Sequence, residues 1–178
     1  MPLLTAGPYA GHAVSIYAGT FEDGTKAGEL PVGLPEPKDY GISSVRKHAT
    51  FMKTFVFEEL AQKHEGKLSL THIYPGLVDG PGFYSEEMPN WFKIVWRFMK
   101  PIMSWYMTSA EDCGDVMLYL ATAQYPSMRS STERARLPQG VEVAMSTNGQ
   151  LGGGAYGVGQ RGDSPKTCLL YTSPSPRD

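Results

Sequence analysis

The residues best suited to meet a ligand are Pro75 and Gly76, which end a short β-type run over residues 69–74. Proline cannot donate a hydrogen bond to a strand ladder, and glycine adopts backbone angles that other residues avoid. The strand must therefore stop at this turn. Ligands of open α/β sheets bind just beyond the carboxyl ends of strands, so the turn is predicted to face a ligand.

Composition excludes several other kinds of site. The net charge of −2 leaves no electrostatic footprint for nucleic acid. The two cysteines and four histidines have no metal-ligand spacing. No apolar run reaches the length of a membrane span, and the amino terminus lacks a signal pattern, so a cytoplasmic location is expected and a membrane partner is not. The length of 178 residues suits one domain or part of a larger one.

The elements that must position the turn are a strand, a helix and a second strand. Residues 12–17 are β-prone, and a connection rich in glycine and proline follows. Apolar residues recur at helical spacing over residues 43–64, which predicts a helix with one apolar stripe. Gly66 stops it, and a strand is predicted over residues 68–74. This order predicts a parallel crossover and an α/β fold.

Downstream of the turn, residues 91–107 form an aromatic-rich segment that Pro101 is expected to interrupt, with Lys93, Arg97 and Lys100 on one face. A further helix is predicted from Thr108 or Ser109 with a capping box, carrying Val116, Met117, Leu120 and Ala121 inward. Residues 126–139 are predicted to be an exposed loop, residues 141–145 a last strand, and residues 152–159 a flexible ending.

Order and spacing together resemble the C-terminal half of a short-chain dehydrogenase/reductase, and fungal members most. The resemblance covers residues 1–163. It rests on residues 1–4 (Met-Pro-Leu-Leu), 14–17 (Val-Ser-Ile-Tyr), 58–61 (Glu-Glu-Leu-Ala) and 74–78 (Tyr-Pro-Gly-Leu-Val). It implies a Rossmann-like doubly wound parallel sheet, of which about three strands with helices stand here without the N-terminal dinucleotide-binding half. Residues 164–178 are expected to be a disordered tail, and from about Thr167 they resemble translated sequencing-adapter sequence.

The resemblance also implies hydride transfer, with a tyrosine as the acid/base group and a lysine four residues later. A phenol with a pKa near 10 is poorly ionised at neutral pH unless a cation lies close. Tyr40 matches the tyrosine by its place before the helix, but Ser44 stands at the lysine position. Lys47 is two helical turns from Tyr40 and would face the same side if Tyr40 joined the helix. Tyr40 and Lys47 are thus the predicted catalytic residues.

Two alternatives stay open at these positions. An alignment counted back from residues 59–61 places Ile42 at the tyrosine position and Arg46 at the lysine position, so it leaves no catalytic tyrosine. Ala18 falls where the family has a substrate-orienting serine, with Ser15 and Thr20 nearby.

For the cofactor, the resemblance implies NAD or NADP in a full-length parent. Pro75, Gly76 and Val78 are the predicted cofactor-binding residues, with Val78 packing on the nicotinamide. No G-x-G-x-x-G lies between a strand and a helix, so this chain alone is expected to be inactive.

The predicted substrate is a small hydrophobic alcohol or ketone beneath residues 91–107, and a homo-oligomer is a further expectation. One alternative is a family member that has lost catalysis and acts as a binding or scaffold protein. Another makes residues 91–107 an amphipathic helix that docks on a membrane or a partner.

Overall fold

Three parallel strands form the centre of the fold. The structure is a computed structural model that describes residues 2–17, 41–129 and 137–162. Strand β1 is Gly11–Ile16, β2 is Leu68–Ile73 and β3 is Ala155–Val158, in the order β1-β2-β3. Gly11 pairs with Leu68, and Leu70 pairs with Ala155. The α/β class and the parallel pairing are as the sequence predicts.

Four helices accompany the sheet in the described residues. They are α1 (Pro2–Thr5), α2 (Ile42–Lys63), α3 (Asn90–Met103) and α4 (Ala110–Tyr119), with a 3-10 turn at Pro81–Tyr84. The α2 backbone closes with His64 N–H donating to Leu60 O at 3.0 Å. Gly66 then turns the chain into β2 at a φ of 71°. The predicted crossover from β1 through α2 to β2 is therefore confirmed.

Both faces of β2 are covered, and all six of its residues are buried. On one face, Phe57 of α2 meets His72 edge to face, with ring centroids 5.9 Å apart. On the other face, Ile73 and Val158 pack with Leu120 and Tyr156. Val116 and Met117 of α4 lie against this second cluster. The sheet is thus the middle layer between α2 and α4.

The apolar stripe predicted for α2, Val45, Ala49, Met52, Val56 and Leu60, is only partly covered, since Ala49 and Leu60 alone are half-buried. Val45, Met52 and Val56 are 42%, 58% and 53% exposed. The face turned inward instead carries Phe51 and Ala61 together with the buried hydroxyls of Thr50 and Thr54, which bond to the backbone carbonyls of Arg46 and Thr50. Threonine is counted as polar in a pattern, so the buried side of α2 was missed.

The predicted last strand at residues 141–145 is wrong. In that segment only Met145 forms a bridge, antiparallel to Leu151. The strand that completes the sheet is β3, inside the glycine-rich run predicted to be a flexible ending, and all four of its residues are buried. The predicted exposed loop at 126–139 begins buried, since Ser127 and Met128 are in the interior, and its residues 130–136 lie outside the described ones.

Two expectations around α3 and α4 need correction. Helix α3 continues through Pro101 to Met103, although proline has no N–H to donate to the carbonyl four residues earlier. Ser109, not Thr108, caps α4 by accepting from Asp112 N–H at 3.0 Å. Val116, Met117 and Leu120 pack inward as predicted, whereas Ala121 is exposed.

Candidate functional site

The carboxyl ends of the three strands lie side by side. Tyr17 N–H donates to Ile73 O at 2.9 Å, and Tyr74 N–H donates to Val158 O at 3.1 Å. These bonds continue the ladder by one residue past the strands. The carboxyl ends of β1, β2 and β3 therefore lie at one edge of the sheet, called here the carboxyl edge.

The Pro-Gly turn at this edge is held by side chains from two later segments. Gly76 has a φ of 75°, a left-handed conformation that favours glycine. A Cβ atom at Gly76 would stand 2.5 Å from the Cδ atom of Gln160. Thr108 Oγ1 donates to Pro75 O at 3.2 Å, and Gln160 Nε2 donates to Thr108 Oγ1 at 2.5 Å. The turn is therefore fixed from outside and packed closely.

Val78 lies in a short extended stretch that pairs with Thr108. Thr108 N–H donates to Leu77 O at 2.9 Å, and Asp79 N–H donates to Thr108 O at 3.0 Å. The Val78 side chain is half-buried at the carboxyl edge. The bridge partner of Val78, Thr108, is bonded through its hydroxyl to Pro75 O, so Val78 belongs to the same secured turn.

Asp79 joins the turn to α3 through a closed set of three polar groups. Lys100 Nζ lies 2.9 Å from Asp79 Oδ2 and donates to Tyr84 Oη at 2.5 Å. Tyr84 Oη in turn donates to Asp79 Oδ1 at 2.8 Å. The hydrogen bonds from Lys100 and Tyr84 lower the pKa of Asp79, and those to Tyr84 and Asp79 raise the pKa of Lys100. The end of α3 is thereby tied to the strand end.

A second polar cluster lies where β1 faces α2. Lys53 Nζ donates to Ser15 Oγ at 2.7 Å. The same ammonium stands 4.6 Å from the ring centroid of Tyr17, the residue after β1. Partial burial lowers the pKa of Lys53, because desolvation disfavours its charged form. A serine, a tyrosine and a lysine are thus gathered near the end of β1.

The predicted catalytic pair is not tested by this arrangement. Tyr40 lies outside the described residues, as does the side chain of Lys47 in the first turns of α2. Ala18 and Thr20 also lie outside them, and so do the side chains of Ile42 and Ser44. The side chain of Arg46, the alternative cation, is exposed. The structure places Pro75, Gly76 and Val78 together at the carboxyl edge, and their role as cofactor-binding residues stays a prediction.

Lys53, Thr108 and Gln160 are site residues that sequence reasoning missed. Lys53 meets a serine 38 positions earlier, and Gln160 meets a threonine 52 positions earlier. No local spacing signals such contacts. One signal was available for Gln160, because the residues after any parallel strand reach the carboxyl edge. It was hidden because β3 had not been recognised as a strand.

The described glycine-rich segment does not have the geometry of a phosphate-binding turn. Gly152 and Gly154 have φ values of 70° and 81°, but they lead into β3 and not into a helix. Leu70 N–H donates to Gly154 O at 2.8 Å, which commits this backbone to the sheet. A phosphate group needs free N–H groups at a helix start.

The chain is similar to oxidoreductases of fungi. It is 50% identical over 171 residues to the short-chain dehydrogenase/reductase SAT2 of Stachybotrys chartarum, covering 96% of this chain and 48% of that protein. It is 31% identical over 182 residues to an oxidoreductase of Emericella nidulans, covering 96% and 50%. An oxidoreductase of Emericella variicolor is 29% identical over 160 residues, covering 88% and 45%.

The chain thus spans about half the length of the curated relatives it matches. No protein-family profile matches it, and neither does any solved structure. Among the described helices, none combines the length and apolar character needed to cross a membrane. The 50% sequence identity to SAT2 confirms the resemblance, and so does the parallel sheet whose strand β2 ends at the Pro75-Gly76 turn. This chain is a relative of the short-chain dehydrogenase/reductases.

Proposed function

We propose that this chain is part of an NAD- or NADP-dependent oxidoreductase that acts on a small apolar alcohol or ketone. The observation that carries the proposal is the Pro-Gly turn at the carboxyl edge of a parallel sheet. The chain that contains it is 50% identical over 171 residues to a short-chain dehydrogenase/reductase. Ligands of such sheets bind at this edge. Residues 91–107 adjoin the turn through Lys100 and Asp79, which supports their role as a substrate cover.

The residues present fit only one end of a dinucleotide. Val78 offers a half-buried apolar side chain, and the bonds of Thr108 and Gln160 hold the turn before it in place. The described glycine-rich segment offers no phosphate-binding turn, since its glycines enter strand β3. When bound, the nicotinamide supplies or accepts the hydride. We propose that Pro75, Gly76 and Val78 position that end and that another part of a longer protein holds the pyrophosphate.

For the proton we propose Tyr40, with Lys47 as the cation that makes its phenol a better acid/base group. Ser15 is the proposed substitute for the substrate-orienting serine, because Lys53 fixes its hydroxyl near the end of β1. A hydroxyl held by an ammonium keeps one direction, so it can position a substrate oxygen at low entropic cost.

The test uses the complete natural protein and follows NADH or NADPH by absorbance while apolar ketones are supplied. Tyr40→Phe should abolish turnover and leave cofactor binding intact. Tyr9→Phe is the matched control, since Tyr9 precedes β1 and lies at its opposite end. Unchanged turnover in Tyr40→Phe contradicts the assignment of Tyr40.

The isolated 178-residue chain should neither turn over substrate nor bind the cofactor tightly. This can be measured by fluorescence titration of NADH and NADPH against the purified polypeptide. Micromolar or tighter binding would show that the chain contains a whole cofactor site, against the proposal.

A second candidate is a non-catalytic binding or scaffold protein of the same family. The contact that favours it is Gln160, which fills the space beside Gly76 with the chain's own side chain. Gln160→Ala in the complete protein separates the two functions. If the enzyme is active, the variant retains turnover with a changed KM, whereas a scaffold protein shows no turnover with either residue.

A further inference from the structure

Lys53 is a charged side chain that α2 places against the end of β1. Its ammonium donates to Ser15 Oγ at 2.7 Å, and the ring centroid of Tyr17 lies 4.6 Å from the same Nζ atom. Alternate residues of a strand point to one face, so Ser15 and Tyr17 are both on the side of β1 that meets α2. Lys53 therefore joins two neighbouring side chains at the carboxyl edge.

The sheet fixes this ammonium as much as its own helix does. Tyr17 N–H donates to Ile73 O at 2.9 Å, so the backbone that carries the Tyr17 ring is bonded to β2. A cation over an aromatic face is attracted by the negative charge of that face. The Tyr17 ring consequently confines a lysine side chain that would otherwise sample many rotamers.

The charge of Lys53 is not neutralised by a carboxylate in the part of the chain that the structure describes. The ion pairs formed there involve Lys100 and Arg129 and not Lys53. Partial burial lowers the pKa of Lys53, because desolvation disfavours the ammonium. A cation that is partly removed from water acts more strongly on a neighbouring dipole than one in bulk solvent. The dipole to which Lys53 is bonded is the Ser15 hydroxyl.

The bond from Lys53 determines what the Ser15 hydroxyl can still do. A serine hydroxyl carries one proton and two lone pairs, whereas an ammonium can only donate. The contact therefore uses a lone pair of Ser15 Oγ and leaves its proton for another acceptor. Among the described residues the Ser15 hydroxyl donates to none. A hydroxyl that accepts from a cation is also a stronger donor, since linked hydrogen bonds polarise one another.

We propose that Lys53 is a positioning residue, which directs and polarises the Ser15 hydroxyl as the donor to the substrate carbonyl oxygen. Tyr17 is a second positioning residue, because its ring holds the ammonium. The proposal rests on the proposed oxidoreductase function and on Ser15 as its substrate-orienting serine.

The step that the Ser15 hydroxyl assists is the reduction of the carbonyl group. As the carbonyl carbon accepts hydride from the reduced nicotinamide, the electron pair of the C=O π bond moves to the oxygen. The Tyr40 phenol then protonates that oxygen and becomes a phenolate, which solvent reprotonates. A donor aimed at the oxygen on which negative charge develops lowers the barrier. Lys53 strengthens this donor without contacting the substrate.

The first test needs neither cofactor nor turnover. NMR titration of the complete natural protein with lysine labelled at Cε follows the ionisation of Lys53. Ser15→Ala should lower the pKa of Lys53 further, because it removes an acceptor that stabilises the ammonium. The Cε resonance of Lys63, an exposed residue of the same helix, is the internal reference and should not move. A Lys53 titration that is identical in Ser15→Ala and the wild-type protein overturns the proposal.

The second test measures ketone reduction by the complete protein with NADH or NADPH. Removing a direct donor to an oxyanion costs about 10²–10³ in kcat, so Lys53→Met, which acts through Ser15, should cost less, about tenfold. KM should change less than kcat, because the interaction strengthens in the transition state. Lys63→Met makes the same replacement at an exposed position of α2 and should leave kcat unchanged. Equal losses in both variants, or a loss confined to KM, overturn the proposal.

A double variant separates positioning from a structural role. If Lys53 acts through Ser15, then Lys53→Met should reduce kcat much less in a Ser15→Ala protein than in the wild-type protein. A general weakening of the fold would reduce kcat by the same factor in both. Independent, multiplicative losses therefore overturn the proposal.

Two substitutions of Tyr17 test the ring contact. Tyr17→Phe keeps the aromatic face and should retain most of kcat, whereas Tyr17→Leu removes the face and should reduce kcat. Equal losses in the two variants assign the effect to the phenol hydroxyl and overturn the role of the ring.

The outcome for the wild-type protein separates the two proposals. If the complete protein reduces ketones and Lys53→Met retains its kcat, the oxidoreductase function stands and the role of Lys53 is wrong. If the complete protein reduces no ketone and oxidises no alcohol, the proposed function fails, and the role of Lys53 fails with it.

Discussion

At the scale of single residues, the carboxyl edge depends on side chains that secure one glycine. Gly76 needs its left-handed backbone, and Gln160 lies where a Cβ atom would go. Moving the Gln160 side chain costs free energy, because its amide donates a hydrogen bond to Thr108. The Thr108 hydroxyl in turn donates to the Pro75 carbonyl. A change at any of these residues therefore reaches the turn.

Gly76→Ala should lower the free energy of unfolding by about 1–2 kcal/mol, the cost of a left-handed conformation for a residue with a Cβ atom. The added methyl group would also displace the Gln160 side chain, which should lower the free energy of unfolding further. Urea unfolding followed by circular dichroism measures the change. Gly82→Ala is the control, since nothing lies within 4 Å of a Cβ atom there and its φ is not positive. Equal effects of the two substitutions would contradict the packing described for Gly76.

The polar set of Asp79, Tyr84 and Lys100 predicts a pH dependence. The pKa of Asp79 is lower in the folded chain than in the unfolded one, mainly through the hydrogen bond from Lys100. Its contribution to stability is therefore present above the ordinary aspartate pKa of about 3.9 and is lost as the pH falls through the lowered value.

Lys100→Gln should raise the pKa of Asp79 towards its ordinary range, as measured by the carboxyl carbon shift in an NMR titration. Lys93→Gln should leave the pKa of Asp79 where it is. An Asp79 midpoint that is the same in Lys100→Gln and the wild-type chain would show that Lys100 does not hold the carboxylate in solution.

At the scale of elements, β3 exists because of its neighbours and not because of its own sequence. Its four residues include a glycine, and three glycines precede it. Two tyrosines fix it: Tyr125 and Tyr156 meet edge to face at 5.3 Å. Tyr156 Oη donates to Pro126 O at 2.6 Å and accepts from Gly154 N–H at 3.3 Å. The strand is thus anchored at its start.

Tyr156→Phe should reduce the free energy of unfolding by about 1–3 kcal/mol, because it leaves a buried carbonyl and a buried N–H without their partner. Tyr119→Phe removes an exposed hydrogen bond from the Tyr119 hydroxyl to Gln124, so it should lower the free energy of unfolding by less than Tyr156→Phe does. Thermal unfolding of both variants provides the comparison. A smaller effect at Tyr156 than at Tyr119 would contradict its role as the anchor of β3.

Elements with a local signal were predictable from the sequence, and those formed by distant contacts were not. Helix α2 and strand β2 were predicted because Gly66 separates a helical period from a β-type run. Strand β3 was missed, since glycine-rich sequence has low strand propensity and only pairing with β2 fixes it. The turn residues Pro75 and Gly76 were found from local chemistry, whereas Lys53 and Gln160 depend on contacts across the chain.

At the scale of the whole molecule, much apolar surface is uncovered within the described residues. The outer face of α2 exposes Val45, Met52 and Val56. The outer face of α3 is also apolar, with exposed Trp91, Ile94, Phe98, Ile102 and, just beyond the helix, Trp105. Within the described ranges, strand β1 has a partner on one side only. Uncovered edges and apolar faces favour association.

The isolated polypeptide 1–163 should therefore be weakly stable and associate with itself, as light scattering over a concentration series would show. Met52→Glu and Val56→Glu together should reduce association if the α2 face takes part. Leu118→Glu, an exposed apolar residue on α4, is the control for added charge. A monomer with one sharp cooperative melt would contradict the expectation.

The central position of β2 also bears on how quickly the chain can fold. Its partners β1 and β3 are both parallel to it, and each is joined to it through a long connection rather than a tight turn. Each ladder forms only after the entropic cost of closing its own connection has been met. Refolding should consequently be slow for a chain of this size, and the burial of Ile73 against both neighbours should come late on the pathway.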